Sequence, residues 1–281
     1  MKKLLAGMGM LLCVGAGAQD VVTNVWVTPG GGDWLAADAD GVYTNWAGNL
    51  TDFNDVMGNV NLFTLNNMAS IRPAVGTNVY SAGMCFRRPA DVPAEDELTW
   101  YLRNGKIDGQ DCRDFFFTDA VFGYFPLWVD ARASLVLGSE FVVSSDTKLT
   151  LRKEGPGTVR VSRFFRRKHP GRRIEVAEGT VVPMVSSALA YTGVRVTDPA
   201  GVFVLSNYSS QVQLGSYAPV PGVPLSLEGN DLQMGVLEST VLPGEVTGTG
   251  RVSALVRTLY ATNVGQLLAQ GEAALAQTLI V

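Results

Sequence analysis

Short strand-like segments separated by turn residues are the feature that most restricts the fold of this chain. From about residue 20 onward, runs that alternate apolar and polar residues are interrupted by Gly, Asn, Asp or Pro roughly every 8 to 12 residues. The clearest runs are residues 135–143, 149–151, 159–161, 174–176, 194–196 and 202–205. Their β-branched side chains suit the pleated surface of a strand, so the pattern predicts an all-β fold. Helical periodicity occurs only near residues 264–276, where it predicts one short helix at most.

A Gly-Thr phrase recurs in the second half of the chain. Gly157-Thr158-Val159 and Gly179-Thr180-Val181 begin 22 residues apart, and Gly248-Thr249-Gly250 is a later and looser copy. Similar turn-then-strand breaks follow residues 133–134, 200–201 and 228–229, which keeps the spacing in the low to middle twenties. A repeat of this length fits one coil of a β-solenoid, in which each coil buries its inward residues against its neighbours. An antiparallel β-sandwich, which has a similar strand density without a period, is the alternative.

Two segments carry a family resemblance. Residues 148–161 (KLTLRKEGPGTVRV) followed by residues 173–181 (RIEVAEGTV) resemble the autotransporter-associated β-strand repeat of bacterial surface proteins. In that repeat a short strand, Gly-x-Gly-Thr-(Leu/Val), a second strand and a returning x-Gly-Thr-(Leu/Val) follow one another. Trp26, residues 31–34 and residues 44–46 are similar to the Trp-rich opening found ahead of such repeats. Here residues 163–171 replace the usual Asn-x-Tyr-x-Gly link.

The resemblance implies a right-handed parallel β-helix with an N-terminal cap, exported by a bacterium and displayed on the cell or released from it. It transfers no catalytic residue, because the repeat is defined by its fold. The resulting division of the chain is a signal peptide (1–18), a Trp-rich cap region with the first coils (19–130), and solenoid repeats (131–281). These repeats either end with the chain or continue in a longer parent protein.

The N-terminus predicts export. Met1-Lys2-Lys3 precedes an apolar stretch over residues 4–14 and the small residues 15–18, which is the order of a secretory signal cleaved after Ala18. A membrane anchor is the alternative, although the stretch is shorter than the roughly 20 residues that span a bilayer. Cys13 also leaves open a lipoprotein, in which that cysteine is acylated. We expect the mature chain outside the cell or on its surface, without a transmembrane helix.

Composition excludes several classes of protein. The chain has 281 residues, of which 47% are hydrophobic and 17% charged, so it can bury a core and is not a charge-driven disordered chain. It contains a single histidine, His169, which excludes a multi-histidine metal site and makes a histidine-dependent triad improbable. We expect neither a metal nor a cofactor.

A dense group of basic residues interrupts this acidic chain. Between Arg152 and Arg173 stand nine basic residues and one acid, Glu154. Such an excess attracts polyanions, which outside a cell include acidic polysaccharide, lipopolysaccharide and extracellular DNA rather than cytoplasmic nucleic acid. The candidate ligand-binding residues are Arg160, Arg163, Arg166, Arg167, Lys168, Arg172 and Arg173. The alternative is a solvated loop without a specific partner.

Three tryptophans near the N-terminus are a second candidate site. Trp26, Trp34 and Trp46 would stack on sugar rings if they were exposed in a row. Alternatively, they cap the open end of the solenoid, where the last coil leaves an unpaired edge. The cap is the favoured interpretation.

Carboxylates and cysteines leave further alternatives open. Acids at 108, 111 and 114, and at 38 and 40, suit either acid–base or calcium chemistry, or simply tight turns, which we favour. Cys85 and Cys112 remain after signal removal and form either one disulfide or two separate buried thiols.

The sequence therefore favours a secreted, non-catalytic β-solenoid that acts in surface display or adhesion and binds acidic polysaccharide through the basic residues. A polysaccharide-active enzyme, a lyase or glycosidase on the same scaffold, is the alternative. A carbohydrate-binding sandwich that uses the tryptophans is a third possibility.

Overall fold

Short β-strands build the fold, and no helix occurs among the residues that the structure describes. The computed structural model describes residues 23–27, 31–34, 36–47, 60–63, 70–72, 79–103, 106–107, 110–111, 115–117, 122–138, 149–162, 172–205, 211–220, 223, 225–234, 240–241, 246–247, 249–250, 252–254, 259–260, 273–275 and 279–280.

The strands are numbered in chain order. The first ten are β1 (Thr23–Trp26), β2 (Gly31–Asp33), β3 (Val60–Phe63), β4 (Ser70–Arg72), β5 (Val79–Ser81), β6 (Gly83–Phe86), β7 (Leu98–Arg103), β8 (Lys106–Ile107), β9 (Gln110–Asp111) and β10 (Phe115–Phe117). The next eleven are β11 (Phe125–Val129), β12 (Ala133–Gly138), β13 (Thr150–Glu154), β14 (Thr158–Val161), β15 (Arg173–Val176), β16 (Gly179–Pro183), β17 (Leu189–Val196), β18 (Gly201–Phe203), β19 (Gln211–Ala218), β20 (Leu225–Ser226) and β21 (Asp231–Met234). The last six are β22 (Thr240–Val241), β23 (Val246–Thr247), β24 (Val252–Ala254), β25 (Leu259–Tyr260), β26 (Ala273–Leu275) and β27 (Leu279–Ile280).

Two long parallel sheets hold most of these strands. Sheet 1 has the order β1-β3-β6-β11-β13-β15-β17-β19-β21-β24-β26, and sheet 2 has the order β18-β16-β14-β12-β7-β4-β2. The chain thus adds a strand to sheet 1, crosses to sheet 2, and returns to stack on the coil before it. Such crossovers are right-handed because of the strand twist. The predicted right-handed parallel β-helix is confirmed, and the sandwich alternative is wrong: among the described strand pairs only β8 with β9 is antiparallel.

The coil length agrees with the spacing expected from the sequence. Phe125, Leu151, Ile174, Val194 and Tyr217 lie in register across β11, β13, β15, β17 and β19, so successive coils are 26, 23, 20 and 23 residues long. The predicted strands near residues 135, 150, 160, 175, 195 and 202 fall in β12, β13, β14, β15, β17 and β18.

Alternation along each strand separates the core from the outer faces. In β14, Val159 and Val161 are buried and point into the solenoid, whereas Thr158 and Arg160 are partly exposed. Facing them across the coil, Leu151 of β13 and Ile174 of β15 are also buried. Stacked columns of apolar side chains therefore fill the space between the two sheets, and each column is continued by the next coil.

Glycines form the corner where the chain enters sheet 2. Gly157 and Gly179 immediately precede paired residues Thr158 and Thr180, so the two Gly-Thr phrases occupy the same corner of successive coils. Gly179 has φ +68°, and a Cβ there would overlap the carbonyl oxygen of Gly157. The third phrase differs, because Gly250 precedes β24 of sheet 1 and therefore lies at another corner.

The N-terminal edge of sheet 1 is capped. Residues 36–47 fold back so that Val27 N donates to Asn45 O at 2.9 Å and Ala47 N donates to Val25 O at 2.8 Å. These antiparallel bonds satisfy the side of β1 that does not pair with β3. The predicted cap is thereby confirmed.

One secondary-structure prediction is wrong in its described part. The helix predicted over residues 264–276 includes Ala273–Leu275, which form strand β26 and pair with β24. Pairing along the growing sheet outweighs the local helical periodicity. Residues 261–272 lie outside the described part of the chain.

Candidate polyanion-binding surface

Arg160 and Arg173 lie at the two ends of the basic segment, on the outer faces of different sheets. Arg160 is an outward residue of β14 in sheet 2, and Arg173 is the first outward residue of β15 in sheet 1. Ser162 N donates to Leu137 O at 3.0 Å, and Arg173 N donates to Leu149 O at 2.9 Å. Both ends of the segment between the two sheets are therefore fixed to the preceding coil.

The residues directly in register with these two arginines on the neighbouring strands are uncharged. Arg160 lies in register between Val136 of β12 and Val182 of β16. Neighbouring strands of a sheet are about 4.8 Å apart, so these are the nearest side chains on that face. Arg173 lies in register between Thr150 and Gly193. No carboxylate occupies an adjacent register position at either arginine.

Other arginines on sheet 1 face acids. Arg152 lies 3.2 Å from Glu154 (Nε to Oε1), and its guanidinium is 5.1 Å from the ring centre of Tyr124. Burial raises the pKa of Glu154, while Arg152 and Lys153 act in the opposite direction. Arg195 pairs in register with Glu175. The centre of this outer face is thus balanced in charge, whereas Arg160 and Arg173 have no acid in register on either neighbouring strand.

The structure does not place the other candidate basic residues on the described surface. The Arg172 side chain is buried at 3% exposure, so the structure does not place it on a ligand-accessible surface. Arg163, Arg166, Arg167, Lys168 and His169 lie outside the described residues.

The three tryptophans form one buried cluster. Trp26, Trp34 and Trp46 are 0–3% exposed, with ring centres 4.8 to 6.2 Å apart. Trp46 Nε1 donates to Trp34 O at 2.8 Å. Stacking on a sugar needs an exposed ring face, which burial removes here. The cluster instead packs beneath the cap.

Among the predicted carboxylates that the structure describes, Asp38 stabilises a tight turn and Asp111 lies in a strand. Asp38 Oδ1 accepts hydrogen bonds from the backbone nitrogens of Asp40 (3.0 Å) and Val42 (2.9 Å), which is the usual role of an aspartate in a tight turn. Asp111 lies in β9, opposite Lys106 of β8. Asp108 and Asp114 lie outside the described residues. Within the described ranges, no group of three or more His, Cys, Asp or Glu side chains is placed to hold a metal ion.

Cys85 is a free, buried thiol. It lies on β6, and burial raises its pKa from 9.0 to about 11, although Arg87 opposes this shift. Cys112 lies outside the described residues.

Lys153 is the residue whose position sequence reasoning missed. Its charge predicts a surface position, yet its side chain is fully buried and points into the solenoid beside Leu151. The alternation of inward and outward residues predicts this burial, because residues 149, 151 and 153 point to the same side of the strand and the first two are leucines. Arg172 shares a phase with Ile174 and Val176 in the same way.

Comparison with protein-family models, with curated proteins and with solved structures gave no match. Across the described residues, the structure contains no helix with the length and apolar character needed to cross a bilayer.

Proposed function

We propose that this protein is a secreted, non-catalytic β-solenoid module for surface display or adhesion, and that it binds acidic polysaccharide through its basic residues. The observation that carries the proposal is the pair Arg160 and Arg173. Both lie on outer faces, both have uncharged neighbours in register, and both flank a segment that adds Arg163, Arg166, Arg167 and Lys168 in sequence.

The corresponding connection of the next coil is uncharged. The next connection on the same side of the solenoid, between β16 and β17, is Met184-Val185-Ser186-Ser187-Ala188, which contains no charge. That connection therefore contributes no acidic side chain to this side of the solenoid. A long anionic polymer gains from several such charges at once, because each contact releases counterions or replaces a hydration shell.

The export and display parts of the proposal rest on the N-terminal sequence and on the resemblance of residues 148–181 to the autotransporter-associated repeat. A signal sequence of this kind is tested by expressing the chain in a bacterium and determining the N-terminus of the exported product. Cleavage after Ala18 is expected, and retention of the intact chain inside the cell would contradict export.

Binding is tested by retention on immobilised acidic and neutral polysaccharides at low and high salt. We expect salt-sensitive retention on the acidic polymers, and at least a tenfold loss of affinity in a variant with Arg160, Arg163, Arg166, Arg167, Lys168 and Arg173 changed to alanine. The matched control is Arg152→Ala with Arg195→Ala, which removes two arginines that face acids and should retain most of the binding. Equal losses in both variants would overturn the assignment of the site.

The same assay separates binding from catalysis. Each polysaccharide is recovered after incubation, and released fragments are measured. Intact polymer is expected. Released oligosaccharides would instead support a lyase or glycosidase on the β-helix.

A further inference from the structure

The column of side chains that contains Lys153 is otherwise aliphatic in this part of the solenoid. Lys153 lies in register between Leu127 of β11 and Val176 of β15, and Val196 of β17 follows. All three are buried, as is Lys153. Burying an unpaired ammonium is costly, so its surroundings must compensate the charge.

Three backbone carbonyls surround the amine. Lys153 Nζ donates to Glu154 O at 2.9 Å, Gly155 O at 2.6 Å and Glu178 O at 3.0 Å. An ammonium has three donors and no acceptor, so this set matches it in number. The first two acceptors are the last residue of β13 and the first residue of the turn that follows it, and the third belongs to the next coil. One side chain therefore joins the corners of two coils.

Gly179 also lies against the amine, and we call the carbonyls of Glu154, Gly155 and Glu178 together with this glycine the cage. Gly155 and Gly179 have φ of +75° and +68°; the carbonyl of Gly155 accepts from the amine, whereas Gly179 presents its side without a Cβ to it. A Cβ on Gly179 would lie 2.7 Å from Lys153 Nζ and 2.5 Å from Gly155 O. The Gly-Thr repeat thus creates the space in which the ammonium fits.

The backbone of Lys153 strengthens the same connection. Lys153 O accepts from Ala177 N at 3.0 Å and from Glu178 N at 3.3 Å. The carboxylates of Glu178 and Glu154 also favour the charged amine, although burial outweighs them and lowers the pKa of Lys153 from 10.5 to about 8. The amine is still mostly protonated at neutral pH.

We propose that the cage is a binding site for a primary ammonium group, filled by the protein's own Lys153, which fixes how the coil of β15 and β16 stacks on the coil of β13 and β14. Aliphatic columns tolerate a slip of two residues, because the inward phase is kept. The cage does not tolerate it, because the third acceptor, Glu178 O, would move away and leave a buried charge underpaired.

Truncation and chemical rescue test the site. Lys153→Ala removes the atoms of a propylammonium ion, so added propylammonium chloride should raise its melting temperature by several degrees in a saturable manner, whereas tetramethylammonium chloride, which has no N–H donor, should not. The control is Leu127→Ala, which opens a cavity in the same column without the carbonyl cage. An equal response to both salts, a lack of response, or an equal rescue of Leu127→Ala would overturn the proposal.

A second measurement does not depend on the folding of a truncated variant. In the unmodified chain labelled with ¹⁵N at lysine Nζ, Lys153 should give a slowly exchanging ammonium signal near neutral pH that is absent in Lys153→Arg. If every lysine ammonium exchanges at the rate of an exposed side chain, the cage does not hold the amine and the proposal fails.

Discussion

The backbone nitrogen of Thr180 donates to the carbonyl oxygen of Gly157 at 3.0 Å, which joins two successive coils at the corner between the sheets. This bond places Gly179 directly against the preceding turn. The bond joins the two Gly-Thr phrases, which lie 22 positions apart and occupy the same corner of successive coils.

Gly179→Ala should strongly destabilise the protein. A left-handed φ costs an alanine about 1–2 kcal/mol of stability. The added Cβ also meets the carbonyls of Gly155 and Gly157, so we expect the free energy of unfolding to fall by at least about 2 kcal/mol beyond that cost. Gly123→Ala is the matched control, because Gly123 has φ +74° and nothing within 4 Å of the added Cβ. Denaturant-induced unfolding measures the free energy of unfolding of both variants. Equal losses in the two variants would show that backbone conformation, and not the contact between coils, limits this position.

The fold was predictable because its two determinants are local. The alternation of residues 149–161 sets which side chains point inward, and the glycine spacing sets where each coil turns. The same alternation also places Lys153 and Arg172 inward, against the expectation from their charge. The burial of Lys153 could not be predicted from its charge, since the three carbonyls that accept from its ammonium are brought together only when the coils stack.

The candidate site was less predictable, because it depends on neighbours in other coils. That Arg160 lies between Val136 and Val182, whereas Arg195 faces Glu175, follows from the strand register and not from sequence spacing. The burial of Trp34 and Trp46 likewise depends on residues 36–47 folding back across β1. Contacts between residues distant in sequence therefore determine both which arginines lie beside acids and whether the tryptophans are buried.

The pH dependence of stability should report the burial of Lys153. Its pKa is lowered from 10.5 to about 8, so between these values the unfolded chain holds a proton that the folded chain has lost. Stability due to this residue therefore rises with pH across that window, by at most about 3 kcal/mol. The free energy of unfolding is measured from pH 7 to 10.5 for the unmodified chain and for Lys153→Met. Their difference isolates Lys153 from Cys85, whose raised pKa lowers stability between pH 9 and 11. A difference that does not change with pH would contradict the prediction.

Cys85 should be nearly inert in the folded protein. A pKa of about 11 lowers the thiolate fraction at pH 8 roughly a hundredfold relative to an ordinary thiol, and burial hinders access further. In the mature chain carrying Cys112→Ser, labelling with a thiol-specific reagent should therefore be at least a hundredfold slower than for the same chain in denaturant. Labelling at the same rate in both conditions would show that Cys85 is exposed in the native state.

Removal of the Trp46 side chain should open the cap before the rest of the solenoid. Trp46 packs against Trp26 and Trp34 and donates to Trp34 O. Trp46→Ala should therefore cost about 3–5 kcal/mol of local stability, whereas Trp46→Phe keeps most of the packing and should cost about 1 kcal/mol.

Hydrogen exchange is the direct measurement, since the amides of Val27 and Ala47 bond across the cap. Their protection should fall in Trp46→Ala, while Thr180 N, which bonds to Gly157 O far along the solenoid, stays protected. An uncapped β1 also exposes a strand edge, so the alanine variant should self-associate at high protein concentration. Uniform loss of protection at all three amides would instead mean that the cap and the coils unfold as one unit.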